Sequence, residues 1–297
     1  MIHTRRMFLA SAAALPLAAA KFSKPLGVQL YTVRNVYPKD ARNTIEAIAK
    51  IGYKEVETLR PTLETALPLL KEFGLKPVSG HYETPFVTGN WEAWKGAFPQ
   101  GKPANLDWNK LCDVAAKAGQ KYMVVPYVQP GERGKTLDSY KVFADQLNKA
   151  GAATKAVGLK MAYHHHAFEF ATLEGTRIID LLLERTDPKL MQLEMDVFWV
   201  SIAGEDPVAL LKKWKGRVAL IHLKDKDAAA PKMFGEGVPP SAFKEVGYGT
   251  LDFKAILKTA QSIGVKHFFV EQDQTPGNPL DSVRKSYEKL RSMDISS

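Results

Sequence analysis

The sequence predicts a single-domain (β/α)8 barrel of the TIM type, on three observations. Short β-rich runs alternate with longer stretches of helical periodicity after residue 20, the pattern of parallel strands joined by crossover helices. Eight such pairs follow one another, which favours a closed barrel over an open doubly wound sheet. No Pro- or Gly-rich tract interrupts the 297 residues, so nothing marks a linker between two smaller domains.

The chain opens with a segment unlike the rest. Arg5 and Arg6 precede an acid-free apolar run from Met7 to Ala20, and TRRMFL at 4–9 resembles a twin-arginine export signal. Small Ala18 and Ala20 suit cleavage before Lys21, so residues 1–20 are expected to be a leader and 21–297 the barrel. The apolar run falls short of the roughly twenty residues a membrane span needs, so no anchor is expected after cleavage. An exported or periplasmic location follows, and twin-arginine export would carry the chain already folded.

Strands are expected at 26–31, 55–59, 77–81, 122–127, 160–164, 191–196, 218–223 and 267–271. Helices are expected at about 39–51, 62–73, 105–118, 136–157, 174–185, 206–214, 252–263 and 279–292. Gly52, Gly74, Gly119, Gly158 and Gly264 follow helix ends and stop them. Two loops are long: 82–104, with Trp91 and Trp94, and 224–249. Either is a candidate lid or ligand wall.

Charge excludes more than it indicates. The formal charge of +9 falls to +7 without Arg5 and Arg6, and the remaining Lys and Arg recur singly on helices, as on solvated faces. No nucleic-acid stripe is visible. Cys112 is the lone cysteine, so no internal disulfide forms, and it sits in an apolar-periodic segment as a core residue. Homo-oligomer formation is left open.

Polar residues crowd one rim of the predicted barrel. Strand six ends QLEMD (192–196), strand seven carries IHLKD (221–225), strand eight ends FVEQD (269–273), and strand five runs YHHHAFE (163–169). Active groups of such barrels lie at the carboxyl ends of strands. A carboxylate from each of strands six and eight with an imidazole from strand seven suits one Mn, Zn, Co or Fe dication. Side-chain alternation puts His164 and His166 on one face and His165 on the other. His267, at the opposite end of strand eight, is read as structural; Asp225, Asp227 and Asp273 are read as loop or supporting groups.

These residues resemble the sugar phosphate isomerase/epimerase group of xylose isomerase-like barrels. The resemblance runs through LGVQLYTVR (26–34), GYKEVE (52–57), YHHHAFEF (163–170), EMDVFW (194–199), HLKD (222–225), GYGTLDF (247–253) and VEQD (270–273). It implies a divalent metal held by Asp196, His222 and Glu271, with His164 where epimerases of the group usually carry Glu. It also implies Glu271 as the base that abstracts a proton next to a carbonyl, through a metal-stabilised enediolate. The returning acid is expected among His164, His166, Glu169 or a water. Gln29, Tyr31, Glu57, His81, Tyr127 and Lys224 are further candidates to contact a sugar or cyclitol.

The replaced strand-five glutamate bears on the reaction. Epimerisation uses two glutamates on opposite faces of the carbon, whereas dehydration of an inosose or elimination from a 3-keto-glycoside needs one base and one acid. The expected function is therefore a metal-dependent sugar or cyclitol isomerase or epimerase, with a lyase on the same barrel as one alternative and a non-catalytic carbohydrate-binding barrel as another. No glycine-rich phosphate cradle is visible, and GYG at 247–249 is too short to be one, which favours unphosphorylated ligands.

Overall fold

A computed structural model describes residues 21–295; the leader expected at 1–20 lies outside the described residues. The strands are β1 (Gly27–Gln29), β2 (Glu55–Leu59), β3 (Lys76–His81), β4 (Tyr122–Val125), β5 (Lys160–His164), β6 (Met191–Asp196), β7 (Val218–Leu223) and β8 (His267–Val270). They close into one parallel barrel, each beside its sequence neighbour, with β1 also pairing to β8. The outer helices are α1 (Ala41–Ile51), α2 (Leu63–Glu72), α3 (Trp108–Lys117), α4 (Leu137–Ala156), α5 (Ile178–Arg185), α6 (Pro207–Lys213), α7 (Phe253–Ile263) and α8 (Pro279–Ser292).

Local chemistry sets the boundaries. Asp40, Asp107, Thr136, Asp206, Asp252 and Asn278 each accept a backbone N–H of the first turn that follows. Each such cap stabilises its helix by about 1 kcal/mol. The Asp107 cap starts α3 later than position 105, where Asn105 has φ 59°. Likewise α5 begins at Ile178 because Glu174 and Gly175, at φ 49° and 81°, turn a small hairpin of Thr172–Leu173 with Thr176–Arg177. Strand β1 stops at Gln29, whose side chain accepts the Tyr31 N–H and opens the 3-10 turn Leu30–Val33.

The core has two layers. Ile45, Ile48 and Ile51 on one face of α1 pack with residues such as Val28 and Val56 between barrel and helices. Inside the barrel, Val78, Tyr122, Val124, Ala162, Ala219, Leu220 and Phe269 fill the lower lumen. A Cβ on Gly27 would run into the Phe269 ring, so glycine is required there. His267 Nδ1 lies 2.8 Å from Glu55 Oε2 at this end, in the structural role expected of it. No helix among the described residues is long and apolar enough to cross a membrane.

Candidate functional site

Strand alternation brings the polar groups together above that apolar plug. Asp196 lies opposite His222 in the register of β6 and β7, and His164 opposite Glu194 in that of β5 and β6. Residues two apart share a face, so Glu194 joins Asp196, and Lys224 follows His222. His165 points outward onto Phe170 and Trp214, at ring distances of 5.3 and 6.1 Å.

Four atoms converge, in contact with one another and with Lys224 alone. His164 Nε2, Asp196 Oδ2, His222 Nδ1 and Glu271 Oε2 are buried and make no hydrogen bond outside that set. His164 Nε2 is 3.4 Å from Asp196 Oδ2, which is 3.8 Å from His222 Nδ1, itself 2.9 Å from Glu271 Oε2. The remaining polar atoms of His164 and Asp196 are already committed. His164 Nδ1 donates to the Pro126 carbonyl at 3.0 Å, and Asp196 Oδ1 accepts the N–H groups of Phe198 and Trp199. Fixing the outer nitrogen of an imidazole leaves the inner one as a lone pair for a metal. Tetrahedral zinc with bonds near 2.1 Å separates its ligand atoms by about 3.4 Å, so this set of two imidazoles and two carboxylates fits a divalent cation.

A second cluster lies deeper. Glu57 Oε2 is 2.7 Å from His222 Nε2 and 2.9 Å from His81 Nε2, and Glu194 Oε2 is 3.2 and 3.1 Å from the same two nitrogens. These are hydrogen-bond separations, and all four atoms are satisfied, which suits a support for the upper set better than a second ion. Ser79 donates to Glu57 Oε1 at 2.7 Å and completes it.

Charge is balanced tightly. Burial opposes ionisation of Asp196, but Lys224 and the two imidazoles outweigh it and hold its pKa at about 2. Burial also opposes the Glu271 carboxylate, and Lys224 and His222 hold it well below the usual range. Lys224 Nζ lies 2.7 Å from Glu271, 2.8 Å from Asp273 and 3.0 Å from Asp196, and these carboxylates overcome its burial and raise its pKa. His222 is raised well above its ordinary value, against its burial, by Glu194, Glu271 and Glu57. For His81 burial opposes the charged form, while Glu57 and Glu194 pull its pKa up to about 9. Gln29 works the other way: its oxygen takes the Tyr31 N–H at 2.6 Å, which presents its amide nitrogen, 2.9 Å away, to His81 Nδ1. Only an unprotonated Nδ1 can accept there, so this contact opposes the pull of the two carboxylates.

The cluster opens into a cavity of about 570 Å³ lined by His81, His164, His166, Lys224, Glu271 and Asp273, with Tyr31, Tyr127, Trp94, Trp199 and Phe243 among its walls. Two expectations are corrected. Gln29 and Glu57 are buried outside the cavity lining, and hold His81 and His222 rather than a ligand. Glu169 sits behind the wall, accepting from the Tyr163 hydroxyl at 2.5 Å and the His166 N–H at 2.9 Å, because Tyr163 faces away from the lumen. His166 lines the cavity as expected of a ligand contact, and burial, His164 and Lys224 hold its pKa below the usual imidazole value. Sequence reasoning misses Glu194 as a site residue, although its spacing of two from Asp196 is a signal that could have found it. Both long loops supply wall: Trp94 from the first, and Glu236, Val238, Pro240 and Phe243 from the second.

Comparison with known proteins bears on the fold and the family. The chain is 33% identical over 164 residues to an inosose dehydratase of Clostridium perfringens, covering 52% of this chain and 54% of that one. It thus spans about half the length of the curated relatives it matches. A sugar phosphate isomerase/epimerase from Parabacteroides distasonis superimposes with a TM-score of 0.75 at 25% identity, over 95% of this chain and 100% of that one. An IOLI protein solved with a zinc atom shares the fold, with a TM-score of 0.67 at 16% identity, over 92% of this chain and 100% of that one. The xylose isomerase-like TIM barrel family matches residues 45–293, and the chain belongs to that family.

Proposed function

We propose that the chain is a divalent-metal-dependent enzyme that moves a proton next to the carbonyl of a sugar or cyclitol. The observation that carries this is the convergence of two imidazole nitrogens and two carboxylate oxygens, buried and held only by Lys224 and one another, at the floor of an open cavity. A dication bound there would supply Lewis acidity to a carbonyl and its neighbouring hydroxyl.

Glu271 is the base. Lys224 and His222 keep its carboxylate ionised, and with Oε2 turned to the cluster the other oxygen is left for the proton. Of the other cavity acids, Glu83 and Glu236 are tied to Arg60 and Arg133, and Asp273 to Lys224. Among the described residues Glu271 is the one carboxylate of the cavity lining that also belongs to the cation set, so the two-base exchange of an epimerase lacks its partner. Elimination needs only one: Glu271 takes the proton from the carbon beside the carbonyl, C=C forms, and the adjacent hydroxyl leaves as water carrying that proton from the same carboxyl. The similarity to inosose dehydratases supports this lyase reading over an isomerase. Export by the 4–9 signal is proposed with it; N-terminal sequencing of periplasmic protein should begin at Lys21.

The test is elemental analysis of purified protein beside Asp196→Ala and Glu271→Ala, followed by incubation with inososes and keto-sugars in deuterated water. One ion per chain that both variants lose, with deuterium uptake or water loss from one substrate, is the expected result. No bound ion after reconstitution with Mn²⁺, Co²⁺ or Zn²⁺ overturns the reading and leaves a sugar-binding barrel.

A further inference from the structure

Taking the sugar or cyclitol reading as given, we infer that the ligand of this cavity is uncharged, a polyol without phosphate or carboxylate. The reason is that each cation found at the cavity is already spent. Lys224 is held by Asp196, Glu271 and Asp273 at 2.7 to 3.0 Å. Arg60 grips Glu83 through two bonds of 2.6 and 2.9 Å. Arg133 lies 3.8 Å over the Phe168 ring and 2.9 Å from Glu236. Arg34, behind Tyr31, gives its two amines to the carbonyls of Tyr31 and Asp273.

A bound dication does not reverse this balance. Its two charges are matched by Asp196 and Glu271, Lys224 is matched by Asp273, and Glu83 and Glu236 keep their arginines. Glu57 and Glu194 remain against His81 and Arg34, so no surplus of positive charge is left for an anion. An anionic ligand would therefore have to dissolve a partly buried ion pair to find a partner. The +9 formal charge of the chain does not compensate, because scattered surface lysines are screened beyond about 8 Å at physiological salt. What the wall offers instead is neutral. Tyr127 accepts from Arg133 at 3.0 Å and is itself bonded to Glu236, Gln129 and Gln274 line the rim, and Trp199 Nε1 is a buried donor without an acceptor. Hydroxyl groups satisfy such partners; phosphate oxygens need charge.

The experiment is calorimetric titration of Mn²⁺-loaded protein with matched pairs: D-fructose and its 6-phosphate, D-glucose and its 6-phosphate, myo-inositol and its 1-phosphate. In at least one pair the neutral member should bind about tenfold or more tightly than its ester, and in none should the ester win. Glu236→Gln removes a rim carboxylate and frees Arg133, so it should narrow that gap severalfold. An ester that binds its wild-type site more tightly than the neutral sugar overturns the inference and leaves the proposed function standing. A gap unchanged by Glu236→Gln overturns its assignment to the rim charges. Failure of all six compounds to bind overturns the proposed function, and this inference with it.

Discussion

Nε2 of His222 lies 2.7 Å from Glu57 Oε2 while Nδ1 of the same ring lies 2.9 Å from Glu271 Oε2, so one imidazole joins the buried support to the ligand set. A carboxylate that takes the outer N–H of a metal-binding imidazole orients the ring and strengthens it as a ligand. Glu57→Ala should therefore weaken metal affinity by about 10- to 100-fold. Glu57→Gln, which keeps an acceptor, should restore part of it. Chelator competition measures this; equal melting-point losses with unchanged affinity would show that Glu57 only packs the lumen.

Asp196 has two separable tasks. Oδ1 caps the short helix Val197–Ile202 and Oδ2 faces the cation set. Asp196→Asn keeps the cap and should lose the ion with little loss of stability, whereas Asp196→Ala should lose the ion and about 1 kcal/mol more. Metal content and urea midpoints of the two variants separate the tasks.

Asp225 organises the second long loop. Its carboxylate accepts the N–H groups of Lys226, Gly247, Gly249 and Leu251, and a Cβ on Gly249 would collide with Asp225 and the Lys226 carbonyl. Asp225→Ala leaves these donors without an acceptor and should cost roughly 2–4 kcal/mol in denaturant unfolding. An unchanged midpoint would mean that the loop is held by other contacts.

Burial pushes Glu169 from 4.5 up to about 8. Between those values the folded chain binds a proton that the unfolded chain has released, so the stability this acid contributes is complete below about 4.5 and is lost as pH rises toward 8. Glu169→Gln carries no such charge. Its melting temperature minus that of the wild type should climb through this window and level off above it; a difference flat with pH would refute the buried neutral acid.

Sequence patterning carried the barrel because a parallel strand buried on both faces and an amphipathic helix leave distinct periodicities that need no partner to be read. The eight strands lie within one or two residues of their expected ends, with differences where a local device intervenes, such as the Gln29 cap at β1 or the Glu174–Gly175 turn before α5. For the site, Asp196, His222, Glu271 and His164 could be named from strand ends and resemblance. Their convergence could not, because it depends on which atom of each side chain other partners leave facing the lumen.

The sequence by itself determined the strand and helix order, the rim on which acids and imidazoles gather, and the parity that puts His164 and His166 on one face and His165 on the other. Only the tertiary structure decided that Glu57 and Gln29 support other residues instead of touching a ligand, that Glu169 lies behind the wall, and that Glu194 belongs to the site. The physical reason is closure. Parity along one strand is local, whereas the partner a buried carboxylate finds across the lumen, as Glu57 finds His222 from the far side of the barrel, is set by how the eight strands shut on themselves.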